Sequence, residues 1–274
     1  MNAEDLQKKA NEIRLKVFKM LCNAGHAHFG AVLSELEILT ALYFGEMNIY
    51  PDDPGSPRRD RFVLSKGHGG PGLYAVLATR GFFSVDKLME LDKDGGMLPK
   101  HVDRFKVPGI DICSGALGNG IAIAVGMATA AKLIDKSKIR VYTVLGDGEC
   151  AEGIVWEAAM AGAKYKCDNL LAIIDKNGSQ VDGFTDDVMP LGDLTAKWQA
   201  FGWNAIQLDG HNMQQLTEAF KKARVCKGKP TIIIANTIKG KGISFMENNL
   251  DWHAKSATCQ EEEQGVAELM ACMR

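Results

Sequence analysis

The sequence predicts an α/β protein built on a parallel β-sheet with helices on both faces. From about residue 139 onward, short apolar or β-branched runs alternate with segments of helical periodicity. Those runs are apolar throughout rather than alternating with polar residues, as strands covered on both faces are. The chain has 274 residues, 46% of them hydrophobic and 24% charged, enough apolar material for a sizeable core. No internal repeat, low-complexity block or long linker divides it. Residues 1–274 are therefore read as one domain with a long loop excursion at about 92–112.

The elements follow from local patterns. Leu6, Ala10, Ile13, Val17, Leu21 and Ala24 recur at spacings of three and four, one face of a helix, which Gly25 ends. A second helix is expected from Ser34, as its N-cap, to about Phe44. Three prolines and a glycine make Pro51–Arg61 a surface loop. Phe62–Ser65 reads as a strand running into the glycine-rich turn Lys66–Gly72, with a helix from about Leu73 to Thr79. Asp92–Asp111 is polar and reads as loop. A second glycine turn, Gly115–Gly120, opens an Ala-rich helix. Then come a strand at Ile139–Leu145, a helix at Ile154–Ala163 and a strand at Leu170–Ile174. A helix at Leu194–Phe201, a strand at Ala205–Leu208, a helix at Met213–Ala223 and a strand at Thr231–Asn236 complete the series.

Charge and composition narrow the function classes. Lys and Arg total 32 against 34 Asp and Glu, a net charge of −2 that argues against nucleic-acid binding. Met1–Ala10 lacks the apolar core of a signal peptide. The longest apolar stretch, Gly115–Ile134, contains Asn119, Thr129 and Lys132 and reads as a buried helix rather than a membrane span. Seven cysteines without a C-x-x-C pair are expected to be reduced, buried thiols in a cytoplasmic protein. The methionines are read as core filler. Trp156, Trp198 and Trp203 are read as packing anchors, with Trp156 a candidate for a subunit interface. The run Glu261–Glu263 reads as a solvated helix turn.

The chemistry is expected beyond the carboxyl ends of the strands, where open parallel sheets bind ligands. Asp147 follows one predicted strand and Asn177 the next, so neighbouring strands could present a carboxylate and an amide oxygen together. Magnesium favours such hard oxygen ligands alongside phosphate oxygens and water. Gly146 and Gly148 permit close backbone approach to a phosphate.

These residues resemble the cofactor fingerprint of thiamine-diphosphate enzymes, a Gly-Asp-Gly followed about thirty residues later by Asn: here GDGECAEG and DKN. Further segments resemble transketolase, namely RFVLSKGHGGPGLYAVLATRGFF, PGIDICSGALGNGIAIAVGMA, and TIKGKG followed by WH. Together they span roughly residues 10 to 255. The resemblance implies the parallel-sheet thiamine-diphosphate-binding fold. It implies magnesium (with Ca2+ or Mn2+ able to substitute) held by Asp147, Asn177 and the backbone carbonyl of Ser179. Gly148 would hold the diphosphate, with Gly115 and Leu117 against the aminopyrimidine. His68 would touch both cofactor and substrate, and His28, His101 and His253 would handle substrate. Glu152 and Glu157 match family glutamates near a subunit interface.

The family usually reads Gly-His-x-Gly-Gly-Ser-Leu-Ser where this chain has Ala27-His28-Phe29-Gly30-Ala31-Val32-Leu33-Ser34, and usually has Gly where Ala254 follows His253. The first change leaves His26 as an alternative to His28. Lys239 and Lys241 are open between meeting phosphate and lining a solvated loop. His211 is read as a loop residue that helps start a helix.

The resemblance covers the diphosphate-binding part of a transketolase and not its pyrimidine-binding domain. It therefore implies the N-terminal subunit of a split enzyme, paired in an α2β2 assembly with a C-terminal subunit, whose substrates are sugars or sugar phosphates. The alternatives are another thiamine enzyme, of the deoxyxylulose-phosphate synthase or 2-oxoacid dehydrogenase kind, and a non-catalytic subunit of the same fold. A nicotinamide dehydrogenase is disfavoured because Gly115–Gly120 is not G-x-G-x-x-G.

Overall fold

The computed structural model describes residues 1–181 and 183–273. Five parallel strands form the central sheet: β1 (Arg61–Leu64), β2 (Val141–Gly146), β3 (Leu170–Lys176), β6 (Asn204–Asp209) and β7 (Thr231–Asn236), in the order β1-β2-β3-β7-β6. A small antiparallel pair, β4 (Ser179–Gln180) and β5 (Gly183–Phe184), follows β3. The helices are α1 (Ala3–Ala24), α2 (Phe29–Ser34), α3 (Leu36–Ala41), α4 (Gly70–Arg80), α5 (Asn119–Thr129), α6 (Gly153–Lys164), α7 (Thr185–Val188), α8 (Leu194–Ala200), α9 (Met213–Val225) and α10 (Cys259–Ala271).

Both sheet faces are buried because successive strand residues feed opposite sides. Phe62, Leu64, Tyr142, Val144, Leu171, Ile173 and Ile233 pack in one cluster with α1, α3, α4 and α9. Val63, Val141, Leu145, Leu170, Ala172, Ile174 and Ile232 pack in the other with α5, α6 and α8. In that second cluster Trp198 lies between Trp156 and Trp203, as anchors should. Among the described residues, no helix is long and apolar enough to cross a membrane.

Some expectations fail locally. Ser34 is not an N-cap. It ends α2, and its hydroxyl donates to Asp175 Oδ2 at 2.6 Å, so the cap oxygen is committed to a tertiary contact. The helix expected over Ser34–Phe44 instead starts at Phe29, pauses at Glu35 and ends in a π-helical turn over Leu42–Glu46. The helix expected from Leu73 begins at Gly70, with Pro71 in its first turn, where a missing N–H costs nothing. The Ala-rich helix begins only at Asn119, and its far end emerges into solvent at Leu133 and Ile134. Only Cys150 and Cys167 are buried; Cys113, Cys259 and Cys272 are exposed because they sit in a surface loop and at the two ends of α10. The segment 92–112 carries no helix or strand and turns Leu98, Val102, Val107 and Ile110 into the core.

Candidate active site

A cleft of about 390 Å³ opens at the carboxyl ends of β1, β2, β3 and β7. It is lined by His28, His68, His101, His253, Gly115, Leu117, Asp147, Gly148, Glu152, Asn177, Ser179, Gln180, Lys66 and Lys239. Depressions of about 880 and 680 Å³ lie elsewhere and contain none of the four histidines, nor Asp147 or Asn177. Volume and chemistry thus point to different places, and the chemistry makes this cleft the candidate site.

One wall comes from neighbouring strands. Gly146 of β2 pairs with Asp175 of β3, so Asp147 and Asn177 leave the sheet side by side. Asp147 Oδ1 accepts from the Gly148 N–H at 3.0 Å. Its Oδ2 accepts from the Gly178 N–H at 2.7 Å and from Thr185 Oγ1 at 3.2 Å. Gly178 reaches that position at φ +73°, a conformation that suits glycine. Burial raises the Asp147 carboxyl to about 6, and nearby Asp175 adds to the rise, while these hydrogen bonds oppose it. Asn177 Oδ1 accepts from the Ser179 N–H at 3.2 Å. A Cβ on Gly148 would stand 3.0 Å from Gln180 Cβ, so only glycine leaves this wall open.

Behind it, Glu149 accepts from the Gly118 N–H at 2.6 Å, the Gly146 N–H at 3.0 Å and the Ser65 hydroxyl. It locks the Gly-Asp-Gly turn to the Gly115–Gly120 turn. The floor is a buried charge cluster. Lys66 Nζ lies 2.5 Å from Asp175 Oδ2, 2.8 Å from the Ala31 carbonyl and 3.3 Å from Glu35 Oε2. Burial disfavours the Lys66 charge, but the two carboxylates outweigh it and keep the ammonium protonated. Burial pushes Glu35 up to about 8 despite Lys66. Sequence reasoning assigned no role to Glu35, Lys66, Glu149 or Asp175; the one signal was that Lys66 stands inside SKGH.

The other wall is four histidines. The His28 ring lies 5.5 Å from His68, 6.3 Å from His101 and 5.4 Å from His253, centroid to centroid. Burial lowers His28 to about 4, and neighbouring His253 and His101 add to this; His68 is driven well below the usual histidine value by burial and by Lys66. Both rings are therefore neutral at neutral pH. His28, not the exposed His26, faces the cleft.

The two lysines of KGKG separate. Lys239 is buried and lines the cleft, its Nζ 3.3 Å from His253 Nδ1. Lys241 turns away and pairs with Glu247 at 3.4 Å. Glu152 stands at the mouth of the cleft, whereas Glu157 is exposed on α6 and does not line it. His211 does not start α9, whose cap is Asn212; its ring instead bridges Glu37 and the backbone of Ile238.

The donor set suits an anion and a hard cation. Among the described residues no group of three or more His, Cys, Asp or Glu could hold a metal. Asp147, Asn177 and the Ser179 carbonyl instead offer an oxygen set, the kind magnesium takes when phosphate and water complete its shell. Lys239 pairs with no carboxylate among the described residues. Ser179 Oγ and Gln180 Nε2, both buried, have no partner among them either. A buried ammonium and two orphaned polar groups facing one cleft fit a bound polar anion.

Comparison with known proteins identifies the family. The family described as transketolase, thiamine diphosphate binding domain, matches residues 6–269. The chain is 46% identical to the 6-deoxy-6-sulfo-D-fructose transketolase subunit SqwG of Clostridium sp. (strain MSTE9), covering 97% of this chain and 96% of that one. It is 41% identical to a subunit of the apulose-4-phosphate transketolase of Phocaeicola vulgatus, covering 98% and 95%. Against the transketolase of Homo sapiens it is 41% identical over 96% of its own length but spans only 42% of that protein. The solved transketolase from Leishmania mexicana superposes with a TM-score of 0.90 at 30% identity, covering 98% of this chain and 41% of that one. The chain therefore belongs to the transketolase family and carries its thiamine diphosphate-binding domain.

Proposed function

We propose that this chain is one subunit of a transketolase that moves a two-carbon ketol unit from a ketose to an aldose, free or phosphorylated. The observation that carries the reading is the facing of two unlike walls across one cleft: Asp147, Gly148, Asn177 and Ser179 opposite four histidines, with Lys239 between them. Asp147, Asn177 Oδ1 and the Ser179 carbonyl would hold magnesium. Gly148, Gln180 and Lys239 would take the diphosphate, and Gly115 and Leu117 would meet the pyrimidine ring. When bound, thiamine diphosphate supplies the nucleophilic carbon and the electron sink. The chain's residues then position the sugar and manage its protons. Neutral His28 and His68 present lone pairs that can take a proton from a sugar hydroxyl as the carbon–carbon bond breaks, and the His101 and His253 rings beside His28 offer further sugar contacts.

A second subunit carrying the pyrimidine-binding domain would complete the site, in an α2β2 assembly in the cytoplasm, with Glu152 and Glu157 near the subunit interface. Support for a partner comes from relatives matched over nearly their whole length that are themselves named as subunits. The test is a ketol-transfer assay on the purified chain with and without that partner, in thiamine diphosphate and magnesium. Transfer is expected only from the pair. Full turnover by the chain alone would overturn the two-subunit reading.

A further inference from the structure

We propose that His211, which lies outside the cofactor cleft, is a positioning residue that sets the Lys239 ammonium for the diphosphate; this rests on the cofactor reading above.

The segment after β7 is fastened residue by residue. The Thr237 N–H donates to the Lys176 carbonyl at 3.0 Å, and its hydroxyl donates to Asp175. The Gly240 N–H donates to the Gly30 carbonyl at 3.0 Å. Between these two anchors the Ile238 N–H donates to His211 Nε2 at 2.9 Å. An imidazole nitrogen that accepts carries no proton, so the ring's proton is on Nδ1. From there it is donated to Glu37 Oε2 at 3.0 Å. Glu37 in turn takes Arg14 Nη2 at 2.6 and 2.7 Å on its two oxygens. Burial alone would raise the Glu37 carboxyl, but Arg14 and His211 outweigh it and hold it down at about 2. A fixed buried charge therefore orients the ring, and the ring orients the peptide next to Lys239.

Lys239 depends on that peptide because little fixes its tip. Its side chain runs past Gly30, where an added Cβ would stand 2.7 Å from Lys239 Cγ. Its ammonium contacts His253 at 3.3 Å and pairs with no carboxylate among the described residues. A small rotation of the Ile238–Lys239 peptide would carry the ammonium out of line or drive the stem against α2. His211 itself lines a separate depression, with Arg14 and Glu37, and so acts only through the loop.

The test is a double-mutant cycle on the assembled enzyme, titrating thiamine diphosphate calorimetrically at fixed magnesium. His211→Phe keeps the ring volume and removes both hydrogen bonds. It should weaken cofactor binding about tenfold, the worth of one lost buried hydrogen bond. Turnover at saturating cofactor should stay within about twofold, since the lesion is in binding. His211→Gln, whose amide oxygen can accept the Ile238 N–H, should restore much of the affinity. In a Lys239→Met background, His211→Phe should add less than about a twofold loss, because its effect travels through the missing ammonium. Fully additive losses, or unchanged affinity in His211→Phe, would overturn the proposal while leaving the cofactor reading intact. If the parent enzyme binds no thiamine diphosphate at all, both readings fall. If His211→Phe folds poorly, His211→Met, which also removes both hydrogen bonds, takes its place in the parent and Lys239→Met backgrounds, with the same outcomes deciding.

Discussion

The two walls of the cleft are built on opposite plans. The Asp147–Asn177 wall comes from adjacent strands, and its hydrogen bonds lie mostly in the loops that follow them, Asp147 with Gly148, Gly178 and Thr185 and Asn177 with Ser179, while Asn177 Nδ2 also reaches Ser34. The histidine wall draws on four segments far apart in the chain, and the other three rings stand 5.4 to 6.3 Å from that of His28. One wall is a fixed array of oxygens and N–H groups, suited to holding charge. The other is a set of imidazole rings, two of them, His28 and His68, held uncharged, suited to passing protons. Changes in the first should remove binding, and changes in the second should spare binding and slow turnover.

The largest expected effect is in the first wall. Asp147→Ala should abolish magnesium-dependent thiamine diphosphate binding in the assembled enzyme, as read by calorimetry. It also strips the Gly178 N–H and the Thr185 hydroxyl of an acceptor, so stability should fall by about 1–3 kcal/mol with the circular dichroism spectrum unchanged. Parent-like cofactor affinity in this variant would remove the basis for contrasting the walls.

The second wall should answer differently. His68→Ala or His101→Ala should lower turnover by about 10²–10⁴-fold, the usual share of an acid–base group. Cofactor affinity should change far less than in Asp147→Ala. If both variants kept near-parent kinetics with a cognate ketose and aldose, the rings would be packing residues and the contrast would dissolve.

The same difference decides what could be read without a structure. Asp147 and Asn177 were legible because consecutive strands of a parallel sheet became neighbours, so spacing along the chain translated into distance across the sheet. The histidine wall has no such local code. Its members emerged only through resemblance to a family, and the choice of His28 over His26 needed the turn before α2 to be built. The floor was invisible for another reason. Glu35, Lys66 and Asp175 are charged residues in segments that read as helix, turn and strand end, and burial in one cluster is a tertiary fact. Asp175 also explains the misplaced helix start, since it captured the Ser34 hydroxyl that local pattern had reserved for a cap.

Lys239 stands where the walls meet, and Gly30 tests how tightly it is held. Gly30→Ala would place a methyl 2.7 Å from Lys239 Cγ and 3.2 Å from the Trp252 carbonyl. Overpacking of this kind costs about 1–3 kcal/mol, which here should divide between thermal stability and cofactor affinity. Unchanged affinity would mean that the ammonium can reach the diphosphate by another path.

The smallest effect, and the finest discrimination, is with pH. Burial lowers Lys239 to about 8, Asp147 opposing the shift and Lys66 adding to it. The charged form is the one that attracts diphosphate. Cofactor affinity should therefore hold steady from about pH 6, below which Asp147 takes up a proton, to about pH 8, and then fall by up to about tenfold per pH unit as the proton leaves Lys239. Ligand-free stability should move the other way. An unfolded lysine keeps its proton to about pH 10.4, so between about 8 and 10 the unfolded chain binds more protons at this site than the folded one, and this contribution to stability rises with pH. Falling affinity beside a rising local contribution to stability cannot come from general alkaline unfolding, which lowers both. Lys239→Met should bind cofactor more weakly at pH 7 and lose the alkaline limb of the affinity profile. A limb that persists in that variant would assign the titration to another group and leave Lys239 as a spacer between the walls.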